Sequence, residues 1–319
     1  MYTGETFEER QRELGVTWKL RDQLFSEEHM FTRIKTIAEL QNLTETYKAL
    51  YYMREKHAAQ TRKDLKFSDA KVPYIVHPLM MACHAWSMGL VDDELLAVIL
   101  LHDVCEDCGV APKELPFSAN VREAVSLLTK RSSKEIRAEA VKEYREGKKK
   151  EAEDHSLEDF FGNFGRRFLC EEEENATEQA EKDISKESAV EAGEASWKAL
   201  ERVAQESEEK TSKVASKESE EEFVERRKRE YTQKYYDNLQ KNRLAALTKV
   251  IDRCNNISTM AQSCPDKKVA EYIKETETYV FPVLTTIKRD WPEYNPTVFL
   301  VKYHMLSVLE SLKVMLIEK

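Results

Sequence analysis

Seven consecutive apolar residues, Leu95 to Leu101, run directly into His102-Asp103, and Glu106-Asp107 follow one helical turn later. A helix that is apolar all round has no face to turn to water and must be enclosed by protein. Buried charge, in turn, is costly unless it is paired or bound to a metal. The chain must therefore build a core around this run and find a use for one imidazole and three carboxylates where it ends. Breakers are scarce: only 8 glycines and 8 prolines punctuate 319 residues. That argues for helices over a turn-rich β architecture. The expected fold is all-α.

Residues 1–60 carry spaced apolar positions without a breaker after Gly15 and read as helical. A polar stretch, QTRKDLKFSDAKV, leads to Pro73. Pro78 suits the start of a helix ending near Gly89. Asp92-Asp93 read as the N-cap of a helix from Glu94 to Val104, stopped by Gly109 and Pro112. Val121 to Leu128 is a further short amphipathic helix. Beyond it the composition changes. Residues 151–230 hold 25 acidic against 13 basic side chains, a net of −12, which leaves the rest of a chain of net charge −9 at +3. So few apolar anchors cannot bury much surface, and the block reads as a solvated helix or as disorder. FFGNFGRRF, at 160–168, is its exception, an aromatic patch suited to docking on the body of the protein or on a partner. Helical periodicity resumes at Tyr231, and two final helices are expected, Lys267 to Lys288 and Thr297 to Glu318, separated by WPEYNP. The expected division is 1–147 and 231–319 as two parts of one helical domain, with 148–230 as an acidic insertion.

No apolar run reaches the roughly 20 residues of a membrane span, and the opening residues have neither the basic nor the apolar region of a signal peptide. Six cysteines in a chain of this length do not make a disulfide framework. A cytoplasmic protein with reduced thiols is expected. Cys105, Cys108 and Cys254 read as small apolar fillers ahead of a zinc or redox group. Tyr231, Tyr235 and Tyr236 recur at helical spacing and read as core.

Three segments bring polar groups to apolar helical faces: Tyr74-Ile75-Val76-His77-Pro78, His102 to Asp107, and Lys249 to Asn256. His102 and Glu106, Asp103 and Asp107, and Asp252 and Asn256 each lie four residues apart, which puts the members of a pair on one helix face. Two histidines and two aspartates make a mixed nitrogen and oxygen ligand set suited to manganese, iron or zinc. Acids at the end of an apolar helix oppose its macrodipole, a local misfit that favours a functional role for Glu106 and Asp107.

These segments resemble the HD-domain metal-dependent phosphohydrolases, and more closely the hydrolase domain of the RelA/SpoT family, which removes the 3′-pyrophosphate from (p)ppGpp. The resemblance rests on Arg54-Glu55-Lys56-His57, Arg62-Lys63-Asp64, PYIVHP, LLHDVCED, Leu127-Leu128-Thr129-Lys130, LTKVIDRCNN and ETETYVFPVL, in order, over about residues 40–145 and 232–290. The long insertion before LTKVIDRCNN departs from the family's small stand-alone hydrolases. The resemblance implies an HD-type helical bundle in which His77, His102, Asp103 and Asp252 hold one manganese ion. Glu106 and Asp107 match the acids that position and deprotonate the attacking water. Arg62, Lys63 and Arg253 match phosphate contacts, Asn256 matches a contact to the nucleoside, and His57 lies outside the metal shell. The implied enzyme is a (p)ppGpp 3′-pyrophosphohydrolase without synthetase activity, acting on a small nucleotide and on neither nucleic acid nor membrane. An NADPH phosphatase, another nucleotide phosphohydrolase, and a non-catalytic nucleotide-binding regulator with the insertion as its interaction arm are the alternatives.

Overall fold

The computed structural model describes residues 26–62, 71–150, 218–260 and 263–317. The chain forms two compact units, one of residues 1–131 and 231–319 and the other of residues 132–230. The described residues are helical, with no strand among them and one isolated antiparallel bridge between Thr61 and Pro73. No described helix is long and apolar enough to cross a membrane. Lys63, the FFGNFGRRF stretch and most of the acidic block lie outside the described residues.

In the first unit the helices are α1 (Glu27–Leu40), α2 (Thr44–Lys56), α3 (Val76–Ser87), α4 (Asp93–Leu101), α5 (Val104–Cys108) and α6 (Ala119–Leu128). After the second unit come the end of α7 (Glu220–Leu239), then α8 (Arg243–Met260), α9 (Asp266–Glu275), α10 (Phe281–Asp290) and α11 (Asn295–Ile317). Helix α4 is the run of seven apolar residues, and every one of them is buried. It is enclosed by α2, α3, α6 and α8, which answers its lack of a polar face. Each large side chain sealed this way contributes about 1.5–3 kcal/mol of transfer free energy. The C-terminal α11 lays Val301, Met305, Leu309 and Leu312 against the α8–α10 layer.

The helix starts are tied together. Asp92 caps α4 by accepting from the Leu95 N–H at 2.9 Å. Asp93, the next residue, caps a different helix, accepting from the Glu45 and Thr46 N–H groups of α2 at 3.0 and 2.7 Å. The Thr46 hydroxyl returns a bond to the Asp93 carbonyl at 3.0 Å. Glu45 accepts from the Ser118 N–H at the start of α6, and the Ser118 hydroxyl donates to Glu94 at 2.8 Å. Three N-termini whose orphan N–H groups need acceptors thus share one polar cluster.

Several boundaries differ from the sequence reading. The first helical stretch is broken between α1 and α2, where Asn42 takes a left-handed φ of 54°. Asparagine tolerates that conformation better than most residues. The helix expected to run from Glu94 to Val104 ends at Leu101, and a new one starts at Val104. Glu106 and Asp107 therefore occupy the first turn of α5 and not the end of α4. α5 has five residues, so its first turn is nearly its whole length, and the macrodipole argument made for one long helix does not apply to it. From Asp266 to Asp290 the chain is helical throughout, with a π turn at Thr276–Val280 joining α9 to α10. Pro282 explains it: proline offers no N–H and clashes with the carbonyl four residues back. The ladder widens there, and the Phe281 N–H bonds to the Thr276 carbonyl, five residues back.

In the second unit, residues 133–150 are helical and face the start of α7. Tyr144 meets Phe223 with ring centroids 5.4 Å apart and donates to the Glu218 carbonyl at 2.9 Å. Arg227 pairs with Glu143 at 2.8 Å.

The capping cluster predicts that Asp93→Ala costs about 1–2 kcal/mol. Urea unfolding should show a lowered midpoint at an unchanged slope.

Candidate metal centre

Three elements bring the candidate ligands together. His77 sits in the first turn of α3, His102 and Asp103 follow the last turn of α4, and Asp252 lies in the middle of α8. The His77 Nε2 is 3.3 Å from Asp252 Oδ1 and 3.9 Å from Asp103 Oδ2. The His102 Nε2 is 2.8 Å from Asp103 Oδ2 and 3.9 Å from Asp252 Oδ1. Among the described residues, the donor atoms of His77, His102 and Asp252 form a buried group in which all lie within 4.8 Å of one another. Asp103 stands beside them, and its Oδ2 also accepts from the Tyr74 hydroxyl.

The other ring nitrogens decide what this cluster wants. The His102 Nδ1 lies 2.8 Å from the Ile99 carbonyl, which can only accept, so Nδ1 carries the hydrogen. The His77 Nδ1 lies 2.7 Å from the side-chain oxygen of Asn255, with the same consequence. Both Nε2 atoms of the neutral rings are then lone pairs pointing at two carboxylates, which are also lone pairs. The buried His102 Nε2 has no aligned hydrogen-bond partner, despite its close approach to Asp103. Acceptors converging on acceptors repel unless positive charge stands between them. Without a cation the site takes protons instead. Burial opposes the charge on His102, and Asp103 outweighs it, raising that imidazole to about 9. Burial also opposes the Asp252 charge, but Lys249 and the imidazoles hold it well below the usual carboxylate range. Two imidazoles and one or two carboxylates, each histidine fixed by a bond at its far nitrogen, form a set that could hold a divalent metal ion.

A cavity of about 670 Å³ opens over this centre. Glu106 and Asp107 line it, and burial followed by the nearby acids raises both carboxyls above their ordinary values. Glu106 also accepts from the Lys130 N–H at 3.2 Å. Arg62, Arg253 and Asn256 line it as well. Asn256 is turned inward, donating to Asp252 Oδ1 at 2.5 Å. Arg253 is buried, with Nη2 2.8 Å from Glu275 and 3.1 Å from the Tyr236 hydroxyl, and its guanidinium over the Tyr272 ring at 4.4 Å.

Several participants carry no assignment in the sequence reading. Asn255 fixes His77, and Tyr74 holds Asp103. Lys249 pairs with Asp252 Oδ2 at 2.7 Å, and Lys130 and Glu275 face each other at 3.1 Å. The signal for Lys249 was available, since 249, 252, 253 and 256 share one face of α8. Nothing local marks Glu275. His57 is buried outside the ligand group, its Nδ1 2.6 Å from the Gln60 side-chain oxygen and its ring stacked 4.7 Å from Tyr74. Burial pushes the Cys105 and Cys254 thiols up to about 11 and about 12, so both are protonated apolar fillers at neutral pH. Tyr235 and Tyr236 are buried core residues.

If the Asn255 amide fixes the His77 tautomer, Asn255→Ala should weaken divalent metal binding by about 10–100-fold, the usual cost of losing such a support. Calorimetric titration with manganese reads this directly, with the thermal midpoint as a check on folding.

Comparison with known proteins finds no matching family model. The chain is 32% identical over 107 residues to a protein of Aquifex aeolicus named guanosine-3′,5′-bis(diphosphate) 3′-pyrophosphohydrolase. It is 34% identical over 124 residues to a protein of Vibrio cholerae with the same name. The matches cover 33% and 35% of this chain but only 14% and 16% of those relatives.

Proposed function

We propose that this chain is an HD-type metal-dependent phosphohydrolase of the RelA/SpoT kind, which removes the 3′-pyrophosphate from a guanosine bis(diphosphate). The observation that carries the reading is the pair of buried Nε2 atoms facing Asp103 and Asp252, beneath a cavity lined by Glu106, Asp107, Glu275 and several cations. The names of the two relatives agree with it.

His77, His102, Asp103 and Asp252 would hold the ion, with manganese the expected metal. A divalent cation supplies positive charge for phosphoryl oxygens and acidifies water at neutral pH. The rest falls to the chain's own groups. Glu106 or Asp107 takes a proton from the water that attacks the phosphorus next to the 3′ oxygen. Carboxyls raised above their ordinary values are better matched to that exchange near neutral pH. The bond between phosphorus and the 3′ oxygen breaks, and the same carboxyl returns a proton to that oxygen. Arg62 offers a bidentate fork to phosphate, and Lys63 and Asn256 complete the contacts to the nucleotide. Tyr74, anchored on His57, keeps Asp103 turned towards the imidazoles.

The test is manganese-dependent release of pyrophosphate from guanosine bis(diphosphate) by the purified full chain. Glu106→Gln should lower kcat by about 10²–10⁴-fold, the range for losing a general base, and keep its manganese. His102→Ala should lose both. Release that survives His102→Ala would contradict the metal assignment, and orthophosphate as the product would contradict the bond assigned.

A further inference from the structure

One carboxylate that belongs to neither the ligand group nor the acid pair ties several segments of the cavity together. Glu275 ends α9, and its Oε1 meets Arg253 Nη2 at 2.8 Å, the Lys130 ammonium at 3.1 Å and the donating Tyr236 hydroxyl at 2.9 Å. Burial opposes its charge, yet Arg253 and Lys130 hold the carboxyl down to about 2, so it is ionised at neutral pH. Four residues on, in the π turn, the Tyr279 ring stacks on Tyr236, with centroids 5.2 Å apart and planes 6° from parallel. Turns of this kind are frequent at functional sites. The buried Tyr236 thus grips this segment by its ring and by its hydroxyl, which fixes where the carboxylate stands.

Lys130 connects that carboxylate to the chemistry. Its side chain is paired with Glu275 and lies over the Tyr235 and Tyr236 rings at 4.6 and 5.2 Å. Its backbone N–H donates to Glu106 Oε2 at 3.2 Å. Lys130 lies beyond the end of α6, where Thr129 has already turned to extended backbone, so no helix aims this N–H. The anchored side chain does. We propose that Glu275 is a positioning residue for the general base: through the Lys130 ammonium it sets the peptide whose N–H aims Glu106 at the attacking water. Oε2 takes that N–H, and Oε1 is left to take the proton. The inference rests on the role given to Glu106 above and deepens it. Two further bonds, from the Tyr235 hydroxyl to the Leu128 carbonyl and from the Arg131 N–H to the Tyr231 hydroxyl, keep the segment attached when Glu275 is lost, so that it shifts and does not unfold.

A double-mutant cycle separates this role from a structural one. Pyrophosphate release from guanosine bis(diphosphate) is followed for the wild type, Glu275→Gln, Glu106→Gln and the double variant. Each is the full chain loaded with manganese, with its metal content and thermal midpoint measured. Glu275→Gln should lower kcat by about 10–100-fold, the scale of a base displaced by up to 1 Å. In the Glu106→Gln background the same change should alter kcat by no more than about twofold, because no base remains to be aimed. Lys130→Met should repeat this pattern, and Lys130→Arg should keep most of the wild-type kcat. Hydrogen exchange of the metal-free chain gives a reading independent of activity: the Lys130 amide should exchange about tenfold faster in Glu275→Gln, the yield of one lost hydrogen bond. A merely structural Glu275 would lower kcat by the same factor in both backgrounds. That result, a wild-type kcat in Glu275→Gln, or unchanged protection of the Lys130 amide overturns this inference alone. Should Glu275→Gln fail to fold, the cycle on Lys130→Met is judged by the same criterion. A wild-type kcat in Glu106→Gln overturns the role of Glu106 and this inference together.

Discussion

A helix with no polar face must be enclosed, here by other helices, and that requirement organises this protein. Enclosing Leu95 to Leu101 takes α2, α3, α6 and α8. The same enclosure delivers the polar residues at its end, His102 and Asp103, into contact with the first turn of α3 and the middle of α8. The last turn of α4 then serves twice, because the Ile99 carbonyl takes the Nδ1 hydrogen of His102 and so turns the ring's lone pair towards the other ligands. Packing and site chemistry are coupled through that one bond. The capping cluster of Asp93, Glu45 and Ser118 fixes the starts of α2, α4 and α6 relative to one another.

Much of this could be read in the chain. An all-round apolar run demands a bundle, and four-residue spacings on α8 put Asp252 and Asn256 on one face. The residues His77, His102 and Asp252 come together as a buried group. What could not be read depends on contacts between distant segments. Asn255 meets His77 across 178 positions and Glu275 meets Lys130 across 145, and no local pattern encodes either. The break at His102-Asp103 was hidden for a different reason. Composition argued for one continuous helix, whereas the structure turns the pair out of regular helix and restarts at Val104. The argument from opposed charge and macrodipole failed with it, although both acids do line the cavity.

Charge around the cavity is divided by sign. Carboxylates gather where His77 and His102 present their Nε2 atoms, Lys130 and Arg253 meet at Glu275, and Lys249 pairs with Asp252. Asp252 joins the two groups, one oxygen to the imidazoles and the other to Lys249. Such an arrangement favours a ligand that is anionic and can also share a cation with the protein. A phosphorylated nucleotide has both properties, in keeping with the function proposed above.

The most direct measurement is anomalous diffraction from crystals of the full chain grown with manganese. This reading predicts one strong peak within coordination distance of the Nε2 atoms of both His77 and His102, with an Asp252 oxygen completing the contact. No peak there, or a peak bound elsewhere while both imidazoles face the carboxylates with no ion between them, would contradict it.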